Sequence, residues 1–443
     1  MNFFLQQQKI KTSLSLLLLA LSTTAYSANL YQVTDLGVLS NDTNSNYFAD
    51  AYAINDSNQI VGNSSGIDFG LHAFSSQNAQ MTDLGNIQGD FSTTGTSYAF
   101  DINDNNMAVG LSIETWLNDN PDTAAIEISN INHAVYYDID NATVNRIPMI
   151  VSTAPNSASA SAINNNNLVV GYGFIDPDGD VDSENNELHN LYERGFFYDI
   201  SNSTLTSIEP INAVITQRIV LRDVNDGGYA VGIATENIDN IITQQVVGVN
   251  VNNPTVLEKI TLFGGFVQHP WAVNSSKKIV GKALTDNTTS AVFEAFIYDG
   301  QTSIGLGFLN NDFKYSEAYD INESDQVVGM SKYEPSKNVY HAFLYENGTM
   351  KDLNKLISCE DAAQWRLSEA RGINDDAGGL GGVIVGSGLV GNERHAFMLT
   401  PLAGNAPNCP QVVAAGNGSS GSTSLVYLSG LSLLAFFRKR KLK

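Results

Sequence analysis

Along most of the chain, short apolar and β-branched stretches alternate with clusters of Asn, Asp and Gly, and the alternation repeats. One phrase recurs throughout: a β-branched residue, Asn, a polar turn, then an apolar residue followed by Gly. It reads Ile54-Asn55 to Val61-Gly62, Ile102-Asn103 to Val109-Gly110, Ile163-Asn164 to Val170-Gly171 and Val224-Asn225 to Val231-Gly232. Val273-Asn274 to Val280-Gly281 and Ile321-Asn322 to Val328-Gly329 follow. Ile373-Asn374 to Val385-Gly386 ends the series with a five-residue glycine-rich insertion. A second phrase comes after each: His72-Ala73-Phe74, His133-Ala134-Val135, Arg194-Gly195-Phe196, Glu294-Ala295-Phe296, His341-Ala342-Phe343 and His395-Ala396-Phe397, with a degenerate copy around Gln245. The third phrase is Asp35-Leu36-Gly37, Asp83-Leu84-Gly85 and Asp352-Leu353-Asn354, weaker near Ile147, Ile208, Ile260 and Leu306. Short alternating runs bounded by such turns are strands. Four strands over about 50 residues is the size of a propeller blade.

The order of the phrases predicts how the ring closes. A lone third-phrase strand at 31–37 precedes the first complete unit, and the seventh unit, ending at 395–402, lacks one. Pairing the two ends supplies the missing strand and removes the open edges. The expected fold is all-β: a seven-bladed β-propeller closed by pairing the N-terminal strand into the last blade, with six or eight blades as the neighbouring alternatives.

Composition agrees. Of 443 residues 43% are apolar and only 16% charged, against about 25% in an average domain. The polar remainder is turn-forming, with 48 Asn and 37 Gly. A net charge of −23 argues against nucleic acid or an anionic membrane as partner, since both need a basic face.

The two ends read as addresses. Lys9 and Lys11, the apolar run 14–21 and the small residues Ala25 and Ser27 make residues 1–27 a secretory signal peptide. The propeller then occupies 28–412 and a Gly/Ser linker 413–424. Residues 425–443 form a short apolar helix followed by the basic cluster Arg438-Lys439-Arg440-Lys441. The apolar run of 13 residues is shorter than the ~20 of a spanning helix. Without both ends, 16 Lys and Arg stand against 46 Asp and Glu, a charge near −30.

The phrases His-Ala-Phe-Leu-Tyr-x-Asn-Gly and Ile-Asn-x-x-x-x-Val-Val-Gly resemble those of the bacterial extracellular HAF-repeat proteins, from about Tyr31 to Leu402. The C-terminal tail resembles the sorting tails of the Gly-Gly type, although Gly421-Ser422 stands where that pair would be. The resemblance implies export through the periplasm of a Gram-negative bacterium to the cell surface or beyond. It implies membrane contact only through the terminal segments, and brings no catalytic residues with it.

Local chemistry is sparse. Gly62-Asn63-Ser64-Ser65-Gly66 matches the G-x-S-x-G nucleophile elbow, but Ser64 shares its repeat position with Ser112 and Ser331 and is read as scaffold. His72, His133, His341 and His395 share another position, where a catalytic His would be singular, and are read as polar strand-edge residues. Asp176, Asp178, Asp180, Glu184 and Glu187 place oxygen ligands in the register of a calcium loop, making calcium the expected cofactor. A solvated acidic loop is the alternative. Cys359 and Cys409, an even pair in an exported chain, are expected to form a disulfide. Trp116, Trp271 and Trp365 share no repeat position.

These features point to a secreted or cell-surface binding or structural module, monomeric, whose partner is an extracellular protein, a glycan or a cation. The alternative is a secreted propeller hydrolase or lyase acting on polysaccharide, which would place an acid pair in the central channel. The stretch between first and second phrase is 30 residues in repeats two and three, against 17 to 21 in repeats one, five, six and seven. These two neighbouring insertions are expected to rise from one face and form an acidic binding surface.

Overall fold

The computed structural model describes residues 30–39, 47–67, 70–87, 95–120, 125–150, 157–175, 192–208, 218–238, 241–265, 267–334, 338–375, 378–405 and 409. The expected signal peptide, the linker and the tail lie outside the described residues.

The chain opens with β1 (Leu30–Gly37). Blade one is β2 (Ala49–Ile54), β3 (Ile60–Ile67), β4 (Gly70–Gln77) and β5 (Gln80–Asp83). Blade two is β6 (Thr96–Ile102), β7 (Met107–Asn120), β8 (Ala125–Asp138) and β9 (Thr143–Arg146). Blade three is β10 (Ala158–Ile163), β11 (Leu168–Ile175), β12 (Tyr192–Asp199) and β13 (Thr204–Ser207). Blade four is β14 (Arg218–Val224), β15 (Tyr229–Ile238), β16 (Ile241–Asn250) and β17 (Asn253–Ile260). Blade five is β18 (Gln268–Val273), β19 (Ile279–Leu284), β20 (Phe293–Tyr298) and β21 (Ser303–Gly305). Blade six is β22 (Ser316–Ile321), β23 (Val327–Glu334), β24 (Val339–Glu346) and β25 (Thr349–Asp352). Blade seven is β26 (Trp365–Ile373), β27 (Ile384–Val390) and β28 (Glu393–Leu402), with β1 as its outer strand.

All seven sheets are antiparallel and four-stranded. Their first strands surround the axis, so seven blades stand where the phrases predict them. β1 pairs with β28 from Leu30↔Leu402 to Gly37↔Ala396, which is the expected closure. Each junction between blades holds one apolar cluster. Val61 and Ala73 of blade one, for example, pack on Ile102, Val135 and Tyr137 of blade two. At the closing junction Leu36, Ala49, Ile54 and Phe74 meet Val385 and Ala396. The second-phrase aromatics Phe74, Phe196, Phe296, Phe343 and Phe397 are fully buried in these seams, which explains why the phrase is kept from blade to blade.

The remaining repeat residues also build the scaffold. His72 contacts Asp83 at 3.1 Å, His341 contacts Asp352 at 3.1 Å, and His395 contacts Asp35 at 3.0 Å, each tying a second phrase to a third. The same aspartates accept an N–H two residues on, from Gly85, Asn354 and Gly37. In blade two Arg146 occupies the Asp position, and the acid comes instead from Glu114 of β7, 2.7 Å from His133 and 2.9 Å from Arg146. Ser64, Ser112 and Ser331 accept the N–H of Leu39, Ile87 and Leu309, so Ser64 is scaffold as expected.

The disulfide Cys359–Cys409 is formed, with a Cα–Cα distance of 5.3 Å. It joins the start of the helix α1 (Cys359–Gln364) to the segment that follows β28, beside the ring closure, where the Tyr31 N–H is bonded to the Leu356 carbonyl.

Candidate ligand-binding site

Every inner strand carries a β-bulge at the same place, three residues before the repeat Asn. A bulge leaves one residue out of the ladder and re-aims its side chain. The residues left out are Tyr52, Phe100, Ser161, Arg222, Trp271, Tyr319 and Arg371. All seven line one cavity of about 420 Å³ in the axial channel, open at the face where the inner strands begin. The repeat glycine permits the close approach of the two strands here. Gly62 and its six equivalents pack against the inner strand beside the bulge, where a Cβ would overlap the carbonyl oxygen of Asp50 and its equivalents.

Six of the seven bulged side chains form an arc. Phe100 lies 5.9 Å from Tyr52, ring centre to ring centre. Arg371 sits over Tyr52 at 5.8 Å and over Tyr319 at 4.0 Å. Tyr319 lies 6.1 Å from Trp271, and Arg222 caps Trp271 at 5.0 Å. Ser161 interrupts the arc between Arg222 and Phe100, and there the cavity wall is completed by Ser159, Tyr172 and Leu111.

Two residues before the bulge, blades six, seven and one carry Glu317, Glu369 and Asp50, and each is neutralised. Arg371 pairs with Glu369 at 2.6 Å, and Arg394 pairs with both Glu369 and Asp50. Burial alone would raise Glu369, but Arg371 and Arg394 outweigh it and hold the carboxyl below the usual range. Glu317 takes Lys282 at 3.0 Å, the Trp271 indole N–H at 2.7 Å and the Tyr315 hydroxyl at 2.8 Å. His269 holds the same position in blade five, its imidazole kept below the usual value by burial and by Lys282 and Arg222.

The waist of the channel is built by residues one after the bulge: Ala53, Asp101, Ala162, Asp223, Ala272, Asp320 and Gly372. Each aspartate accepts the N–H of its own next residue and that of the following blade. Asp101 takes Ile102 and Ile163, Asp223 takes Val224 and Val273, and Asp320 takes Ile321 and Ile373. Burial nevertheless pushes Asp101 up to about 8, Asp223 to about 7 and Asp320 to about 6. With an odd number of blades the alternation fails once, where Gly372 meets Ala53; a Cβ on Gly372 would crowd the Tyr52 carbonyl and the Ala53 backbone.

At the other mouth, lining about 250 Å³, the repeat asparagines form a closed circle. The side-chain amide of Asn55 donates to the Asn103 carbonyl, and Asn103, Asn164, Asn225, Asn274 and Asn322 each donate likewise to the next, until Asn374 returns to Asn55. The Asn55 side-chain oxygen caps its own turn by accepting the N–H of Ser57 and Gln59.

The expected calcium ligands Asp176, Asp178, Asp180, Glu184 and Glu187 lie outside the described residues. Among the described residues no group of three or more His, Cys, Asp or Glu could hold a metal ion. The insertion of repeat two extends β7 and β8 into a paired hairpin from Met107↔Asp138 to Asn120↔Ala125. That of repeat three departs between the paired ends Ile175 and Tyr192. Both leave at the end of the blade where the arginine–aromatic mouth opens. Of the tryptophans, Trp271 belongs to the bulge ring, while Trp365 packs edge-on against Phe397 at 6.1 Å. The bulge ring was not found from the sequence, because its seven members share a position but not a residue type.

Residues 40–216 and 206–428 match the model of a family described as "Protein of unknown function (DUF3466)". No curated protein matches. Among solved structures, an oligogalacturonate lyase in complex with manganese is 13% identical over 85% of this chain and 96% of its own, at a TM-score of 0.49. An oligogalacturonate lyase from Vibrio parahaemolyticus is 10% identical over 84% and 98%, at 0.44. Trypanosoma rangeli sialidase is 9% identical over 73% and 56%, at 0.38. At these values no conclusion about ligand or chemistry passes to this chain.

Proposed function

The chain belongs to the DUF3466 family, whose description assigns no activity, and we propose that it is an exported, non-enzymatic binding propeller that takes a saccharide at the arginine–aromatic mouth of its channel. The observation that carries this reading is the bulge ring. Seven backbone-equivalent positions hold Tyr, Phe, Ser, Arg, Trp, Tyr and Arg around one cavity, while positions a few residues away repeat almost unchanged. Aromatic faces with a few placed polar groups are the make-up of a small-ligand site. Sugar rings present C–H faces that bury well on such surfaces. A hydrolase or lyase would need a singular acid free to exchange protons. The channel acids instead occupy repeat-equivalent positions: Glu317, Glu369 and Asp50 are tied up in ion pairs, and Asp101, Asp223 and Asp320, which line the cavity, each accept two backbone N–H groups. The formed disulfide fits an oxidising compartment.

The exported, mature protein should bind on a glycan array, and Trp271→Ala with Tyr319→Ala should remove the signal at a temperature where the variant is still folded by its cooperative melting curve. Binding unchanged in that double variant would exclude this mouth. Calcium binding at Asp176, Asp178, Asp180, Glu184 and Glu187 is a separate part of the proposal, supported by their spacing. Replacing the three aspartates with Asn should abolish a calcium-dependent rise in melting temperature, and native protein without such a rise at millimolar calcium would refute it.

A further inference from the structure

Arg222 differs from the other cations of the mouth. Arg371, Arg394 and Lys282 are each matched to Glu369, Asp50 or Glu317. No carboxylate pairs with Arg222 among the described residues, and its Nε is enclosed without a hydrogen-bond partner. Its guanidinium rests on Trp271, 5.0 Å from the ring centre. Glu193 contributes to its field but is paired with Arg218 at 3.7 Å. Asp223, next in the chain, turns both oxygens to the N–H groups of Val224 and Val273. Burial draws the Arg222 guanidinium below the usual arginine value, the direction expected of a cation enclosed without its counter-ion.

Enclosing a charge without a partner destabilises a fold, so such a group is retained where the partner arrives with a ligand. The space for one is beside it. Ser161 is the small member of the bulge ring, and Ser159, Ser161 and Tyr172 line the cavity on that side. Their hydroxyls can meet sugar hydroxyls, and the aromatic arc from Trp271 to Tyr319 can meet a pyranose face. A guanidinium fork matches a carboxylate with two parallel hydrogen bonds.

We propose that the ligand of this mouth is a saccharide containing uronic acid, with its carboxylate paired to Arg222. This rests on the saccharide reading above and specifies its class.

Calorimetric titration of the exported protein with an oligouronate, with the same oligosaccharide after its carboxyls are reduced to alcohols, and with a sulfated neutral oligosaccharide tests it. The oligouronate should bind at least tenfold more tightly than the other two. Arg222→Met should lose roughly ten- to hundredfold in affinity for the oligouronate and nothing for the reduced form. The melting temperature of Arg222→Met should equal or exceed that of the native protein, because the enclosed charge is gone. Equal binding of the oligouronate and its reduced form overturns the carboxylate pairing and leaves the saccharide reading intact, as does preference for the sulfated sugar. If no sugar binds, benzoate separates the two ideas. A benzoate-induced rise in melting temperature, lost in Arg222→Met, would support the carboxylate pairing and overturn the saccharide reading; no rise would overturn both. A melting temperature several degrees lower in Arg222→Met would show that the fold itself uses the charge, and would overturn the inference.

Discussion

The two mouths of the channel are made by the same seven strands and turn out to be opposites. At one mouth every blade contributes the same residue, Asn, and each side chain is consumed, capping its own turn and bonding to the next blade. At the other, three residues earlier on the same strands, the blades contribute Tyr, Phe, Ser, Arg, Trp, Tyr and Arg, and one of the two arginines has no acid partner among the described residues. Uniformity marks the positions that hold the ring together. Variety at an equally constrained backbone position marks a surface shaped for something outside the chain. In a repeat protein, then, the position that departs from the repeat deserves the functional question.

Both mouths depend on closure, so the largest effect should follow from deleting residues 30–37. This removes the Asp35 partner of His395 and the buried Tyr31 and Leu36, and bares the edge of β28. Aggregation or loss of a cooperative thermal transition is expected, and an unchanged melting curve would defeat the ring.

The comparison is sharpest within one segment, because Arg222 and Asn225 stand three residues apart at opposite ends of the channel. Asn225→Ala leaves the Asn274 carbonyl and the Tyr229 N–H short of a partner and should cost about 2–4 kcal/mol in denaturant unfolding. Ser161→Trp tests the other end. The equivalent backbone position already holds Trp271, so stability should change little, while ligand binding should fall because the space beside Arg222 is filled. Equal losses of stability in the two variants would erase the distinction between the mouths.

Much of this was legible in the sequence. The seven phrases gave the blade count, the orphan strand at 31–37 gave the closure, and the even cysteine pair gave the disulfide, because each follows from local spacing. The inter-blade role of Asn55 and its equivalents was not legible, since turn capping already accounts for a strand-end Asn and the second bond spans 48 to 61 residues of sequence, or 319 where the circle closes. The bulge ring was hidden differently. Its sign was the invariant Gly of Val-Val-Gly, which tolerates no Cβ against a bulged neighbour, but a bulge is a property of the pairing of two strands. Aligning the residues three before each Asn would have exposed Arg222 and Trp271 in one column. The spacing also marked the two insertions, whose departure from the arginine–aromatic face the strand ends at Asn120, Ala125, Ile175 and Tyr192 make visible.

The waist between the mouths should make stability depend on pH. Asp101, Asp223 and Asp320 carry folded values of about 8, 7 and 6, above the ~3.9 of an unfolded aspartate. His395 is likewise raised by its bond to Asp35. Groups more protonated in the folded than in the unfolded chain contribute stability that is complete below the unfolded value and is lost as pH rises through the folded one. The melting temperature should therefore fall from about pH 4 to pH 8, most steeply below pH 6, where all three aspartates hold their protons only in the folded chain. Replacing the three aspartates with Asn should lower it at pH 6, because an amide cannot accept both N–H groups, and should flatten its slope. A slope unchanged in the triple variant would place the titration elsewhere.

The smallest effect belongs to the rim of the asparagine mouth. There Asp56, Asp104, Asp226, Glu323 and Asp375 stand together, and in six of seven steps a backbone N–H bonds to the side chain of the next blade. Partial burial raises Asp56, and the nearby Asp104 and Asp375 add to it, against the hydrogen bond it accepts from the Asp375 N–H. Asp56→Asn keeps an oxygen for that N–H and removes one charge from the rim. Because the rim is open to solvent, the gain should be about 0.5 kcal/mol or less at low ionic strength. It should fade toward 1 M salt, where the screening length falls to about 3 Å. Native protein should gain stability over the same salt range and the variant less. Loss of stability in Asp56→Asn at low salt would mean that this charge is held in place for a ligand or cation, and the rim would then resemble the opposite mouth more than the asparagine circle beneath it.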